Sequence, residues 1–133
     1  MIFPDYQGGS IVNLMSSIIT GRGGDGGQYV SLQGLDINVL CAADNIVLLV
    51  IDGLGYDYLQ EKKNSCFYQH LHRRITAVAP PTTAASITTF LTGMAPQQHA
   101  LTGWFTYFRE LGSVVTVLPY ITRAGCSSLA NMD

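Results

Sequence analysis

Two side chains that can do phosphate chemistry stand at the ends of two predicted strands. Asp52 follows the apolar residues 46–51, and Thr83 opens a predicted helix after the second strand, residues 75–78. A hydroxyl at a helix N-terminus lies in a positive dipole among free backbone N–H groups, which suits a phosphate. A divalent cation held by a carboxylate would lower the pKa of that hydroxyl and make it a nucleophile. Asp52 and Thr83 therefore predict the start of a metal-assisted phosphoryl-transfer site.

The strand that positions Asp52 is predicted from residues 46–51. This run is rich in β-branched side chains and does not alternate with polar residues, which is typical of a strand buried on both faces. It is too short for a bilayer, which needs roughly 20 apolar residues. Ligands of open α/β sheets bind outside the carboxyl ends of the strands, which is where Asp52 lies.

Both residues also have plainer structural interpretations, and the pattern alone does not choose between them. Thr83 is a possible N-cap of an ordinary helix, and Asp52 is a possible turn-capping residue before Gly53. Thr82 offers a second hydroxyl beside Thr83.

The helix that carries Thr83 is predicted to end at Thr92, with Gly93 as the residue that stops it. An earlier helix is predicted after Ser10, because five apolar residues share one helical face: Ile11, Leu14, Met15, Ile18 and Ile19.

The remaining elements are shorter. Residues 56–63 predict a short helix, residues 94–101 a turn with one more helical turn, and residues 113–119 an extended segment. Residues 29–32 and 37–40 are interpreted as short edge elements. The glycine cluster at 21–27 is interpreted as a surface loop, since no Gly-Lys-Ser/Thr follows it as a phosphate loop requires.

Composition indicates one modest folded domain. The chain has 133 residues, of which 47% are hydrophobic and 12% charged, and this balance argues against disorder. A net charge of −2 gives no electrostatic case for nucleic acid or anionic membrane as a partner.

The first residues lack a basic region followed by a long apolar run, so no signal peptide is predicted and a cytoplasmic location is expected. Cys41, Cys66 and Cys126 form no CxxC pair, which favours reduced thiols over a zinc knuckle or a disulfide framework.

Three ordered motifs resemble the type I phosphodiesterase/nucleotide pyrophosphatase family, which belongs to the alkaline phosphatase superfamily. They are Asn-Ile-Val-Leu-Leu-Val-Ile-Asp-Gly at 45–53, Val-Ala-Pro-Pro-Thr-Thr-Ala-Ala-Ser at 78–86 and Leu-Thr-Gly-Met-Ala-Pro-Gln-Gln-His at 91–99. The resemblance extends from about residue 45 to residue 104.

The resemblance implies a fold and a set of roles. The fold would be part of an alkaline-phosphatase-like α/β sandwich, with a mostly parallel central sheet flanked by helices. Asp52 would be a ligand of one of two zinc ions. Thr83 would be the nucleophile, forming a phospho-threonine intermediate and also touching a metal. His99 would be structural rather than a metal ligand, and the substrate would be a phosphate ester or a nucleotide-like small molecule.

The chain also departs from the family pattern. Trp104 stands where many diesterases carry an Asn that helps to hold the phosphate, and the later Asp-x-x-x-His and Asp-His motifs do not occur. Residues 1–133 are therefore interpreted as the N-terminal part of a longer catalytic domain. Since catalytic zinc normally has three protein ligands, the isolated chain is expected to bind metal weakly, fold marginally and expose apolar surface.

Other functions fit less well. A sulfatase needs a Cys-x-Pro-x-Arg setting that neither Cys66 nor Cys126 has, and a mutase would need Ser86 as a nucleophile from inside a helix. A dinucleotide-binding domain would need GxGxxG after residues 46–51. A non-catalytic paralogue, or an interaction module that uses the aromatic residues at 104–108, stays open as the alternative.

Overall fold

The computed structural model describes residues 2–124 and 128–131; Cys126 lies outside them. The helices are α1 (Ile11–Gly21), α2 (Ile37–Ala42), α3 (Tyr56–Glu61), α4 (Cys66–Gln69), α5 (Thr83–Thr92) and α6 (Pro96–His99). The strands are β1 (Phe105–Phe108), β2 (Ser113–Thr116) and β3 (Ile121–Thr122), and a single 3₁₀ turn spans Leu129–Asn131.

Helix α1 supplies the centre of the core, but not through the face that its apolar periodicity predicts. Leu14, Met15, Ile18 and Ile19 are only half-buried, whereas the buried residues include Val12, Asn13, Ser16 and Ser17. Ser10 is its N-cap, and both the backbone N–H and the hydroxyl of Ser10 donate to Asn13 Oδ1, at 3.1 and 2.6 Å. The side chain of Val12 is fully buried in a cluster with Ile11, Val78, Ala85 and Ala95. Helix α1 therefore joins the N-terminal third of the chain to α5.

A buried polar stripe on α1 holds the segment that follows the glycine loop. Asn13 Nδ2 donates to the carbonyls of Tyr6 and Val30, at 2.9 and 2.8 Å. The Ser16 hydroxyl donates to the Tyr29 carbonyl at 2.6 Å, and Ser17 Oγ accepts from the Leu32 N–H at 2.8 Å. Residues 29–32 consequently form no strand, because side chains rather than a neighbouring strand satisfy their backbone. The other predicted edge element, 37–40, is part of α2.

Helix α5 begins and ends where the sequence predicts. Thr82 is its N-cap, and its last residue, Thr92, is followed by Gly93 in the left-handed conformation at φ +71°. A Cβ at position 93 would also lie 2.8 Å from Ile19 Cδ1 of α1. Glycine is thus required both for the backbone angle and for the close approach of the two helices.

The sheet overturns the predicted architecture. It has three strands in the order β1-β2-β3, and both pairings are antiparallel, with Phe105 opposite Thr116 and Thr116 opposite Ile121. The expectation of an alkaline-phosphatase-like sandwich with a mostly parallel central sheet is wrong for this structure, which is a small α/β arrangement. Antiparallel strands joined by short turns need only local contacts, whereas parallel strands need long crossovers.

Residues 46–51 form neither a helix nor a strand, so the prediction of a strand buried on both faces is also wrong. Val47 is 89% exposed and Leu49 is 74% exposed. A buried parallel strand needs neighbours on its edges and helices on both faces. Within residues 2–124 and 128–131, the parallel pairing consists of one isolated bridge between Ser10 and Thr76. The expectation of exposed apolar surface is confirmed at this segment.

Replacing Asn13 tests the polar stripe of α1. Asn13→Ala removes the partner of the Ser10 N–H and of two carbonyls, and we expect a loss on the order of 2–3 kcal/mol in the free energy of unfolding. Asn45→Ala, at an exposed position, is the matched control and should change it by less than about 0.5 kcal/mol. Urea unfolding of both variants measures the difference, and equal losses would contradict the role given to Asn13.

Candidate functional site

The structure brings Asp52 and Thr83 together. Thr83 Oγ1 donates a hydrogen bond to Asp52 Oδ2 at 3.3 Å, although 31 positions separate the two residues. Both side chains are exposed. The contact therefore lies where a small molecule in solution can reach it.

Asp52 is presented by a tight turn. The Leu54 N–H donates to the Ile51 carbonyl at 3.3 Å, and Gly53 has a φ of +79°, which glycine adopts without strain. The turn follows the apolar segment 46–51, and the Asp52 carboxylate reaches Thr83 of α5 from it. The predicted strand before Asp52 is absent, but the contact of Asp52 with the start of α5 forms without it.

Thr83 is presented by the first turn of α5. The chain enters the helix through Ala79, Pro80 and Pro81, with a cis peptide bond before Pro80, and the Thr82 N–H donates to the Pro80 carbonyl at 2.9 Å. The hydroxyl of Thr82 accepts from the Ala85 N–H at 3.3 Å, as an N-cap does. Thr82 is therefore occupied in capping, which leaves Thr83 as the hydroxyl directed at the carboxylate.

A cavity of about 220 Å³ adjoins the two residues. Its polar side is formed by Asp52, Thr82, Thr83 and Ser86, and its apolar side includes Val50 and Phe90. Ser86 lies three positions after Thr83 on the same face of α5, which places a third hydroxyl at the cavity. Sequence reasoning set Ser86 aside because it lies inside a helix; the spacing of three from Thr83 was the available signal.

The arrangement has the parts of a nucleophile beside an acceptor for its proton. Thr83 points its hydroxyl hydrogen at a carboxylate oxygen. The first backbone N–H groups of a helix have no partner within the helix, and the N-terminal end of its dipole favours negative charge. A phosphate group beside Thr83 would meet this positive end of α5.

The same residues make an incomplete zinc site. Asp52 and Thr83 provide two oxygen ligands, whereas catalytic zinc normally has three protein ligands. Among residues 2–124 and 128–131, no group of three or more His, Cys, Asp or Glu side chains is close enough to hold a metal ion. His70 Nδ1 lies 2.9 Å from the Cys66 carbonyl, and His72 Nε2 lies 3.0 Å from the Gly34 carbonyl, so both rings have other partners.

His99 is a half-buried ring between α5 and the loop after α6. Its Nδ1 accepts from the Leu101 N–H at 3.1 Å, and its Nε2 lies 3.4 Å from Thr89 Oγ1. Burial lowers the pKa of His99 below its ordinary value of 6.5, while a hydrogen bond to the Ala85 backbone opposes that shift. These contacts agree with the structural role that the sequence favours for this residue.

Trp104 precedes β1 and is 45% exposed. Its backbone carbonyl accepts from the Val117 N–H at 2.9 Å, which joins it to the β2 side of the sheet. The neighbouring Thr102 contacts the site instead, since its carbonyl accepts from the Thr82 hydroxyl at 3.0 Å.

Comparison with known families gives one match. The family model for type I phosphodiesterase / nucleotide pyrophosphatase matches residues 46–119, which is more than half of the chain and includes Asp52 and Thr83. No curated protein and no solved structure matches the chain. In the part of the chain that the structure describes, none of the helices is both long and apolar enough to cross a membrane.

The lowered pKa of His99 predicts a pH dependence of stability. Below about pH 6.5 the unfolded chain takes up a proton on this ring more readily than the folded chain does. The free energy of unfolding should therefore fall as the pH drops from 6.5 through the lowered pKa, and be insensitive to His99 above 6.5.

Urea unfolding across this pH range, for the natural chain and for His99→Asn, measures the effect. The natural chain should lose more stability on acidification than the variant. Parallel losses in the two proteins would show that His99 does not titrate with a lowered pKa.

Proposed function

Because the chain belongs to the type I phosphodiesterase/nucleotide pyrophosphatase family, we propose that it carries the nucleophile region of a phosphoryl-transfer site, with Thr83 as the attacking residue. The observation that carries this proposal is the 3.3 Å hydrogen bond from the Thr83 hydroxyl to Asp52 at the N-terminus of α5. A structural N-cap role suits Thr82 better, because its hydroxyl accepts from the Ala85 N–H.

In the proposed reaction, Thr83 Oγ1 attacks the phosphorus atom of a phosphate ester. The Oγ1–P bond forms, the bond from phosphorus to the ester oxygen breaks, and the ester oxygen leaves as the alcohol once it has taken up the proton that Asp52 accepts from Thr83. Asp52 is positioned to accept the hydroxyl proton as the nucleophile attacks. Water then hydrolyses the phospho-threonine, which releases phosphate or a phosphate monoester and restores the Thr83 hydroxyl.

The substrate class follows from the site and the family. The helix N-terminus suits an anion, and the cavity of about 220 Å³ accommodates a phosphoryl group with a small substituent. A phosphate ester or nucleotide-like small molecule is therefore the proposed substrate, while nucleic acid and membrane are not proposed as partners.

Several finer assignments rest on the resemblance alone and remain predictions. Family members are generally metal-dependent, but the two zinc ions and the role of Asp52 as a zinc ligand need donors that residues 2–124 and 128–131 do not assemble. A cytoplasmic location is part of the same proposal.

A non-catalytic interaction module is the second candidate. The aromatic residues at 104–108 support it, since Phe105 is 49% exposed and Tyr107 is 62% exposed on β1. The incomplete ligand set supports it as well. The two candidates differ in one measurable property, which is whether Thr83 becomes phosphorylated.

Trapping of the phospho-enzyme tests the proposal. The full chain would be incubated with an aryl phosphodiester and zinc, quenched in acid and mapped by mass spectrometry. We expect Thr83 to carry the phosphoryl group together with the ester substituent that has not left, and a fall of at least about 10³-fold in the rate of its formation for Thr83→Ala.

Two matched variants sharpen the result. Thr83→Ser keeps a hydroxyl and should remain phosphorylated at position 83, whereas Thr82→Ala should lower the rate without moving the label. Phosphorylation of Thr82 or Ser86 would contradict the proposal. Absence of any phosphorylation in the natural, unsubstituted chain would also contradict it, and would favour the interaction module.

A further inference from the structure

A circuit of hydrogen bonds connects the half-buried ring of His99, through loop 100–102, to Thr82 at the start of α5. The circuit consists of three hydrogen bonds. The Leu101 N–H donates to His99 Nδ1 at 3.1 Å, the Thr82 hydroxyl donates to the Thr102 carbonyl at 3.0 Å, and the Ala85 N–H donates to Thr82 Oγ1 at 3.3 Å. Loop 100–102 therefore links the His99 ring to the first turn of α5.

The ring has one tautomer that satisfies these contacts. The Leu101 N–H is a donor, so His99 Nδ1 must be unprotonated to accept from it. The ring proton then lies on Nε2, where it faces Thr89 Oγ1. Neutral His99 can thus bridge the loop and the helix, whereas a doubly protonated ring would direct a hydrogen at the Leu101 N–H.

Loop 100–102, which follows His99, contains a residue in an unfavourable backbone conformation. Ala100 has a φ of +60°, a left-handed angle that residues with a Cβ seldom adopt. Its N–H donates to the Pro96 carbonyl at 2.9 Å, and the next N–H, that of Leu101, donates to His99. Such a conformation persists only where neighbouring contacts determine it, and the His99 ring is one of those contacts.

We propose that His99 is a positioning residue for the phosphoryl-transfer site: its ring holds loop 100–102 so that the Thr102 carbonyl orients the Thr82 hydroxyl, which fixes the first turn of α5 and with it Thr83. This proposal rests on the proposed function for its consequence on the reaction. His99 touches neither Asp52 nor the Thr83 hydroxyl in the contacts above, so it acts through Thr82. The lowered pKa of His99 is in keeping with the neutral ring that the circuit requires.

Amide hydrogen exchange of the full chain tests the circuit without relying on activity. His99→Leu removes the acceptor of the Leu101 N–H, and we expect exchange at both Leu101 and Ala85 to become faster by roughly fivefold. His70→Leu, on an exposed ring with other partners, is the matched control and should leave both amides unchanged.

His99→Asn is the rescue variant. The Asn side-chain oxygen can take the place of Nδ1 as the acceptor for Leu101, but Asn lacks the ring nitrogen that faces Thr89 Oγ1. We expect Leu101 to regain most of its protection and Ala85 to regain it as well, because the loop route is restored. Protection that returns at Leu101 while Ala85 stays fast would show that the ring supports its own loop alone, and the proposal would be wrong.

Thr82→Ala removes the hydrogen bonds at the α5 end of the circuit. This variant tests the proposal if His99→Leu fails to fold. Coupling between two sites is reciprocal, so loss of the Thr82 hydroxyl should speed exchange at Leu101 by a similar factor. Unchanged exchange at Leu101 would overturn the proposal.

Phosphorylation of Thr83 in the same variants separates the two proposals. We expect His99→Leu to phosphorylate more slowly than the natural chain and His99→Asn to recover. If no variant and no natural chain forms phospho-threonine, the proposed function fails, while the exchange data still decide whether His99 positions the first turn of α5.

Discussion

The first turn of α5 must satisfy its backbone N–H groups, and much of the site depends on how it does so. A helix N-terminus leaves four N–H groups without partners inside the helix. The Thr82 hydroxyl accepts a hydrogen bond from one of these groups, the Ala85 N–H, and donates a hydrogen bond to the Thr102 carbonyl. With capping assigned to Thr82, the next hydroxyl, that of Thr83, is left to meet Asp52. One constraint of helix geometry thus separates two adjacent threonines into a structural residue and a candidate nucleophile.

The hydrophobic core packs against the first turn of α5 and helps to fix its position. Val12 on α1 and Ala85 on α5 belong to one buried cluster, and Gly93 lets the two helices approach closely at the other end of α5. The N-terminus of α1 is fixed by Asn13, whose side chain contacts Ser10 and two carbonyls. Helix α5 is consequently anchored along its length, whereas Asp52 is carried by an exposed turn.

Local features of the fold could be predicted from the sequence, and long-range ones could not. Helix α5 was predictable from Thr82 and Gly93, because caps and stops are read from neighbouring residues. The sheet was not, because residues 46–51 carry the side chains of a buried strand without strands beside them in the described residues. Side-chain type predicts how a segment could be buried, but the partners that bury it are specified elsewhere in the chain. The contact between Asp52 and Thr83 was nevertheless predictable, since it depends on where two segments end. The role of Thr102 could not be predicted, because every residue has a backbone carbonyl and residue type does not indicate which donor it binds.

A crystal structure of the chain with vanadate tests the central claim most directly. Vanadate adopts the geometry of a phosphorus atom under attack, and a site built for phosphoryl transfer binds such a mimic through its nucleophile. We predict vanadium bonded to Thr83 Oγ1, with vanadate oxygens against the N-terminus of α5 and the Asp52 carboxylate beside Oγ1. Vanadate bonded to Thr82 or Ser86, or a Thr83 hydroxyl still donating to Asp52 at saturating vanadate, would contradict the account.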